Sequence, residues 1–173
     1  LANSTFSEVA ASYRSGTSIC VKVPADDATN HSSFDAATST GCLWIARENE
    51  YICDVSMSGD SVTLTLNAIA WPVLTNAAGL TVKTGNCTSG TAVEFDAEAH
   101  TASIKAGTVL CASVAADNAS SSIDTTTGCP DSAWVVDGAT AACTFAMPSS
   151  AAAIAASYTA WPVLTKGSGV TVY

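Results

Sequence analysis

The chain has 173 residues, 48% of them hydrophobic and 12% charged, with a formal net charge of −9. A positive mean hydropathy (+0.31) with so few charges excludes a disordered tail, and six basic residues scattered among fifteen acids offer no patch for nucleic-acid phosphates. The longest apolar runs, such as 151–156, are far too short to span a bilayer.

Alanine accounts for 32 residues and serine with threonine for 44, so small side chains dominate and the pattern reads as short strands between turns. In chain order, strands are predicted over Ser18–Val23, Leu43–Ala46, Tyr51–Met57, Ser61–Ile69 and Gly79–Lys83. Val62-Thr63-Leu64-Thr65-Leu66 alternates with period two, as a half-buried strand does. Val135-Val136-Asp137-Gly138-Ala139-Thr140 carries an Asp-Gly hairpin turn. Ala152–Ala156 is helical by propensity alone, but an internal repeat decides for a strand there.

That repeat is the most specific feature of the chain. Ala70-Trp71-Pro72-Val73-Leu74-Thr75 recurs as Ala160-Trp161-Pro162-Val163-Leu164-Thr165, and the match extends without a gap from Cys53–Lys83 onto Cys143–Tyr173, with 11 of 31 positions identical. Upstream, Gly16-Thr17-Ser18-Ile19-Cys20 matches Gly107-Thr108-Val109-Leu110-Cys111, and Thr40-Gly41-Cys42 matches Thr127-Gly128-Cys129. Homologous repeats should not exchange a strand for a helix. A period near 90 residues is too long for a solenoid and fits tandem domains. The expected fold class is all-β: two tandem homologous small β-sandwich or Greek-key domains, 1–83 and 84–173.

Seven cysteines (Cys20, Cys42, Cys53, Cys87, Cys111, Cys129, Cys143) with no C-x-x-C pair speak against zinc and for disulfides in an oxidising compartment. The repeats share three of them, and Cys87 stands where the first repeat has Ser4. Pairing Cys42–Cys53 and Cys129–Cys143 allows Cys87–Cys111 and leaves Cys20 alone; pairing Cys20–Cys53 leaves Cys42 instead. Spacing does not choose between them. The unpaired thiol is either buried and inert, bridged to a neighbouring subunit, or bridged between the domains. The first residue is Leu1, with no charged or apolar leader after it, which reads as a mature product of secretion. Four N-x-[ST] sequons, at Asn3, Asn30, Asn86 and Asn118, exceed the roughly two that chance gives for seven asparagines in a chain this rich in Ser and Thr. Asn3 aligns with Asn86 and Asn30 roughly with Asn118. Attached glycans would solubilise a surface low in charge.

Trp71-Pro72 and Trp161-Pro162 read first as core tryptophans followed by a strand-ending proline, and second as platforms for sugar rings. Trp44 and Trp134 read as core residues beside a disulfide. The acidic stretch from Asp26-Asp27 to Asp35 lacks the calcium-loop spacing and reads as a solvated loop. Thr63-x-Thr65 has alanines as its counterpart, which breaks any flat ice-binding ladder. Neither G-x-S-x-G nor H-E-x-x-H occurs. No catalytic, cofactor or metal site is expected, and the chain reads as a non-enzyme.

The duplicated A-W-P-V-L-T…G-x-T-V units, the sequons and the strand-like segment Gly169–Tyr173 together resemble secreted, glycosylated fibril subunits built of tandem β-domains. More distantly they resemble pilins that polymerise by strand donation. The resemblance implies a passive structural role, with the chain itself as partner in a head-to-tail homopolymer at the cell surface or outside the cell, and Leu1–Ala11 as candidate donor strand. The alternative expectation is a secreted, bivalent carbohydrate-binding or adhesive module.

Overall fold

β-branched side chains lose rotamer freedom in a helix, and serines compete there for backbone hydrogen bonds, so a chain this rich in Val, Thr and Ser favours strands. The computed structural model describes residues 12–59, 61–77, 79–165 and 168, and among them it is all-β with no helix. The strands form several small sheets. By contact they fall into two compact units, Leu1–Pro72 with Ser103–Lys105 and Val73–Ala102 with Ala106–Tyr173.

Unit 1 contains β1 (Ser18–Pro24), β2 (Asp26–Asp27), β3 (Ser32–Phe34), β4 (Ile45–Ala46), β5 (Glu50–Ser56) and β6 (Ala68–Ala70). Antiparallel pairing gives a sheet β1-β5-β4, with Val21 opposite Cys53, and a second sheet β2-β3-β6. In β5 the period of two is visible as burial: Cys53 and Val55 are buried while Asp54 and Ser56 face solvent. Val23 and Phe34 complete this small core, and the Phe34 ring meets Trp44 and Tyr51 edge-on at 5.0 and 5.1 Å. The strand expected over Ser61–Ile69 forms only in pieces. Thr65 bridges Thr40 and β6 begins at Ala68, while Val62–Leu64 enter no ladder among the described residues.

Unit 2 contains β7 (Val73–Asn76), β8 (Thr81–Thr84), β9 (Thr101–Ser103) except its last residue, β10 (Val109–Ala115), β11 (Ser121–Ile123), β12 (Val135–Asp137), β13 (Thr140–Ala146), β14 (Ala152–Ile154) and β15 (Tyr158–Ala160). Its sheets run β12-β13-β10-β8, β14-β7-β9 and β11-β15. The hairpin expected at Asp137-Gly138 is present, with Gly138 at φ +59 in the turn. The alanine-rich Ala152–Ile154 is a strand, not a helix, because β7 supplies its parallel partner. The core is larger here: Leu74, Leu110, Ala112, Trp134, Cys143, Phe145, Met147 and Ile154 are all at most 5% exposed.

The contact units do not divide at 83/84, where the repeat alignment places a boundary. They divide after Pro72, because β7 and β8 find their partners in β14 and β10 of unit 2. Apolar strands go where their side chains are removed from water, and Leu74 (0% exposed) and Val82 (3%) are buried there.

Candidate functional site

The feature with the clearest capacity for recognition is the pair of strands β7 and β8, which begins within the first hexapeptide and enters two different sheets. Val73, exposed, and Leu74, buried, alternate along β7, and β8 repeats the pattern with exposed Thr81 and buried Val82. Each strand therefore carries one apolar side chain inward and offers its backbone to an edge. β8 lies antiparallel to β10, with Val82 opposite Ala112 and Lys83 opposite Cys111. β7 lies parallel to β14, with Leu74 opposite Ala152. The Cys87–Cys111 disulfide then ties the segment after β8 to the middle of β10.

The second hexapeptide is placed differently. Trp161 is 46% exposed, Val163 89% and Leu164 73%. Of the terminal strand expected over Gly169–Tyr173, none of the five residues belongs to the described set, and neither does the candidate donor Leu1–Ala11.

Both tryptophans of the repeat are anchored in the same way. Trp71 Nε1 donates to Ser33 Oγ at 2.9 Å, and Trp161 Nε1 donates to Ser122 Oγ at 2.6 Å. Their backbone N–H groups donate to the carbonyls of His31 and Ser120. Each thus fixes its strand end against β3 or β11, with the ring at the surface or half-buried rather than in the core. The His31 ring adds an edge contact to Trp71 at 5.7 Å. Trp134 is buried as expected and donates to the Thr127 carbonyl, whereas the Nε1 of its counterpart Trp44 has no partner among the described residues. Pro72 accepts from the Ile104 N–H, and Pro162 is exposed.

Of the two cysteine pairings open from sequence, the structure has the first: Cys42–Cys53, Cys129–Cys143 and Cys87–Cys111, with Cα separations of 6.1, 5.9 and 5.1 Å. Cys20 is free, and it is exposed rather than buried. It lines a shallow depression with Lys22, Arg47, Glu50 and Ile52, where Lys22 and Glu50 form an ion pair at 2.9 Å.

Among the sequons, Asn3 lies outside the described residues, and Asn30, Asn86 and Asn118 are exposed. The Asn86 side-chain oxygen accepts from the N–H of Thr88 and Ser89, and that of Asn118 from the Ser120 N–H and Ser121 hydroxyl. These turns engage the oxygen, and neither amide nitrogen has a partner among the described residues. Asn30 instead donates its amide to Asp27 at 2.7 Å. Asp26 pairs with Ser33 and Asp117 with Ser122, so the residue in the place of Asn118 is Asp27, and Asn30 stands three positions further on.

The aspartates of the acidic stretch are turn-formers. Asp35 accepts from the Thr38 hydroxyl and from the N–H groups of Ala37 and Thr38, and Asp124 does the same for Thr126. The Thr hydroxyls, followed by the backbone donors, hold both carboxyls below their ordinary pKa. Asp26 is lowered by hydrogen bonds from Lys105 and then Ser33. Among the described residues no cluster of His, Cys, Asp or Glu is suited to a metal ion.

Comparison with family models, curated proteins and solved structures found no match. The docking of β7 and β8 beside β14 and β10 was not foreseen from sequence. The signal that could have found it is the direct run of Gly79–Lys83 into the second repeat, which left an apolar strand with two neighbours to choose from.

Proposed function

We propose that the chain is the structural subunit of an extracellular, glycosylated filament, made of two tandem homologous β-domains that join head to tail by strand complementation. The observation that carries this reading is the contrast between the two copies of one sequence. In the first copy β7 and β8 pair with β14 and β10 of unit 2, while in the second Val163 and Leu164 are left in water. Exposed adjacent apolar residues on a segment with a known docking mode favour association. Three disulfides suit an oxidising compartment, and no helix among the described residues is long and apolar enough to cross a membrane. Glycans at Asn3, Asn30, Asn86 and Asn118 would cover the outside of such a filament. Negative-stain electron microscopy of native, non-reduced material tests the reading: uniform filaments with a repeat of one or two small domains support it, and only isolated particles at high concentration reject it.

The exposure of Trp161, with its indole nitrogen already held by Ser122, favours a second reading as a bivalent carbohydrate-binding module. Saturable sugar binding by the monomer, lost in Trp161→Ala, would support it.

A further inference from the structure

Each repeat sets an aspartate, a serine and a tryptophan in one row. In unit 2, Asp117 stands across an antiparallel bridge from Ser122, and the Ser122 hydroxyl oxygen accepts from the Trp161 indole N–H at 2.6 Å. In unit 1, Asp26 stands opposite Ser33, and Ser33 Oγ accepts from the Trp71 indole N–H at 2.9 Å. Residues directly opposite on antiparallel strands project from the same face. In both units the serine therefore lies between a carboxylate and an indole on one surface.

The two rows differ in what holds them. The Ser33 hydroxyl donates to Asp26 Oδ1 at 2.7 Å, and Lys105 Nζ donates to Asp26 Oδ2 at 2.5 Å. The His31 ring meets Trp71 edge-on, and Trp71 is half-buried. In unit 2 the carbonyl that takes the tryptophan backbone N–H belongs to Ser120, which has no ring to set against the indole. Ser122 does not donate to Asp117 as Ser33 does to Asp26, and both Asp117 and Trp161 are exposed. The same three groups are thus tied together in unit 1 and open to solvent in unit 2.

We infer that Trp161, Ser122 and Asp117 form the binding site for one neutral pyranose, an inference that rests on the carbohydrate reading and gives it one open site, its counterpart in unit 1 being closed. The indole supplies a flat apolar surface for the C–H face of the sugar ring. A hydroxyl at the rim of that ring donates to the Asp117 carboxylate and accepts from Ser122, a charge-assisted pair of hydrogen bonds. It takes the place that the direct bond from Ser33 to Asp26 fills in unit 1. The bond from Trp161 to Ser122 orients the indole before a ligand arrives, which reduces the ordering cost of binding. Asp117 and a net charge of −9 repel acidic sugars, so the class that fits is neutral.

The indole N–H resonances of the isotope-labelled, disulfide-bonded full chain read the two rows separately. The probes are the methyl glycosides of glucose, galactose, mannose and N-acetylglucosamine, with methyl glucuronide as the acidic counterpart. The Trp161 signal should move saturably with at least one neutral glycoside while the Trp71 signal stays in place. Trp161→Ala should abolish binding. Asp117→Asn, an isosteric change at the surface, should weaken it at least about tenfold, because the acceptor loses its charge. His31→Ala/Lys105→Ala should make the Trp71 signal respond as well. Responses of both indoles in the unsubstituted chain, of Trp71 alone, or of neither despite saturable binding would overturn this site while leaving the carbohydrate reading intact. Undiminished affinity in Asp117→Asn, or tighter binding of the glucuronide, would do the same. Absence of binding by every glycoside would overturn the carbohydrate reading, and the site with it.

Discussion

Leu74 and Leu164 occupy the same place in two copies of one hexapeptide, yet Leu74 is 0% exposed and Leu164 73%. Identical local sequence therefore does not set their environment; the presence of an acceptor edge does. Leu74 lies opposite Ala152 on β14 and belongs to the core of unit 2.

Leu74→Ala should accordingly destabilise unit 2 by about 2–5 kcal/mol, the cost of removing a buried leucine and leaving a cavity. Leu164→Ala should change monomer stability by no more than about 0.5 kcal/mol. Hydrogen exchange of the β10 and β13 amides measures the first directly. Equal effects of the two substitutions would contradict the assignment of Leu74 to the core.

Gly41 and Gly128 are a second matched pair, at φ +91 and +80. A Cβ on Gly41 would collide with the Thr63 carbonyl oxygen, and one on Gly128 with that of Ala155. The repeated T-G-C thus reflects a left-handed residue pressed against a neighbouring backbone. Gly128→Ala should cost at least about 1–2 kcal/mol from the backbone conformation alone, with more from the displaced carbonyl. Urea unfolding should show a lower midpoint, and an unchanged one would refute this account.

The disulfides predict a thiol count and a stability difference. Native chains should present one titratable thiol, Cys20, and fully reduced, unfolded chains seven. Cys87 and Cys111 are 24 residues apart, and replacing both by Ser releases a loop whose closure stabilises by about 3–4 kcal/mol. Cys20→Ser touches no cross-link and should leave the monomer within about 0.5 kcal/mol. Mass spectrometry of alkylated, non-reduced peptides checks the count.

Much of this was legible in the sequence. Alternation, turn residues and the repeat identify an all-β chain, place β1 within one residue, and read Ala152–Ile154 as a strand against its alanine propensity. The pairing of cysteines was narrowed to two schemes, which differ in three-dimensional distances that spacing does not encode. The partners of β7 and β8 were not legible, because strand pairing is a choice among edges and an apolar alternation fits any of them. The same reason explains why Ser61–Ile69 is broken: its pattern suits a strand, but the described residues provide a partner only at Thr65 and from Ala68 onward. Trp71 and Trp161 were read as core by residue type, whereas the serines that hold their indole nitrogens lie 38 and 39 positions away.

Acid should loosen the turns before it affects the sheets. The carboxyls of Asp26, Asp27, Asp35, Asp96 and Asp124 all lie below their ordinary pKa, held there by hydrogen bonds: from Lys105 to Asp26, from the Asn30 amide to Asp27, from Thr hydroxyls to Asp35 and Asp124, and from the Ala99 N–H to Asp96. A folded pKa below the unfolded value of about 3.9 means that the stabilisation is complete above that pH and is lost as pH falls through the folded value. Melting temperature should therefore be level with respect to these groups above about pH 5 and decline below about pH 4. Asp35→Asn and Asp124→Asn each remove one contributor, so they should lower the plateau slightly and flatten the acid decline. A profile whose acid limb is unchanged in the double variant would show that these turns do not carry the effect.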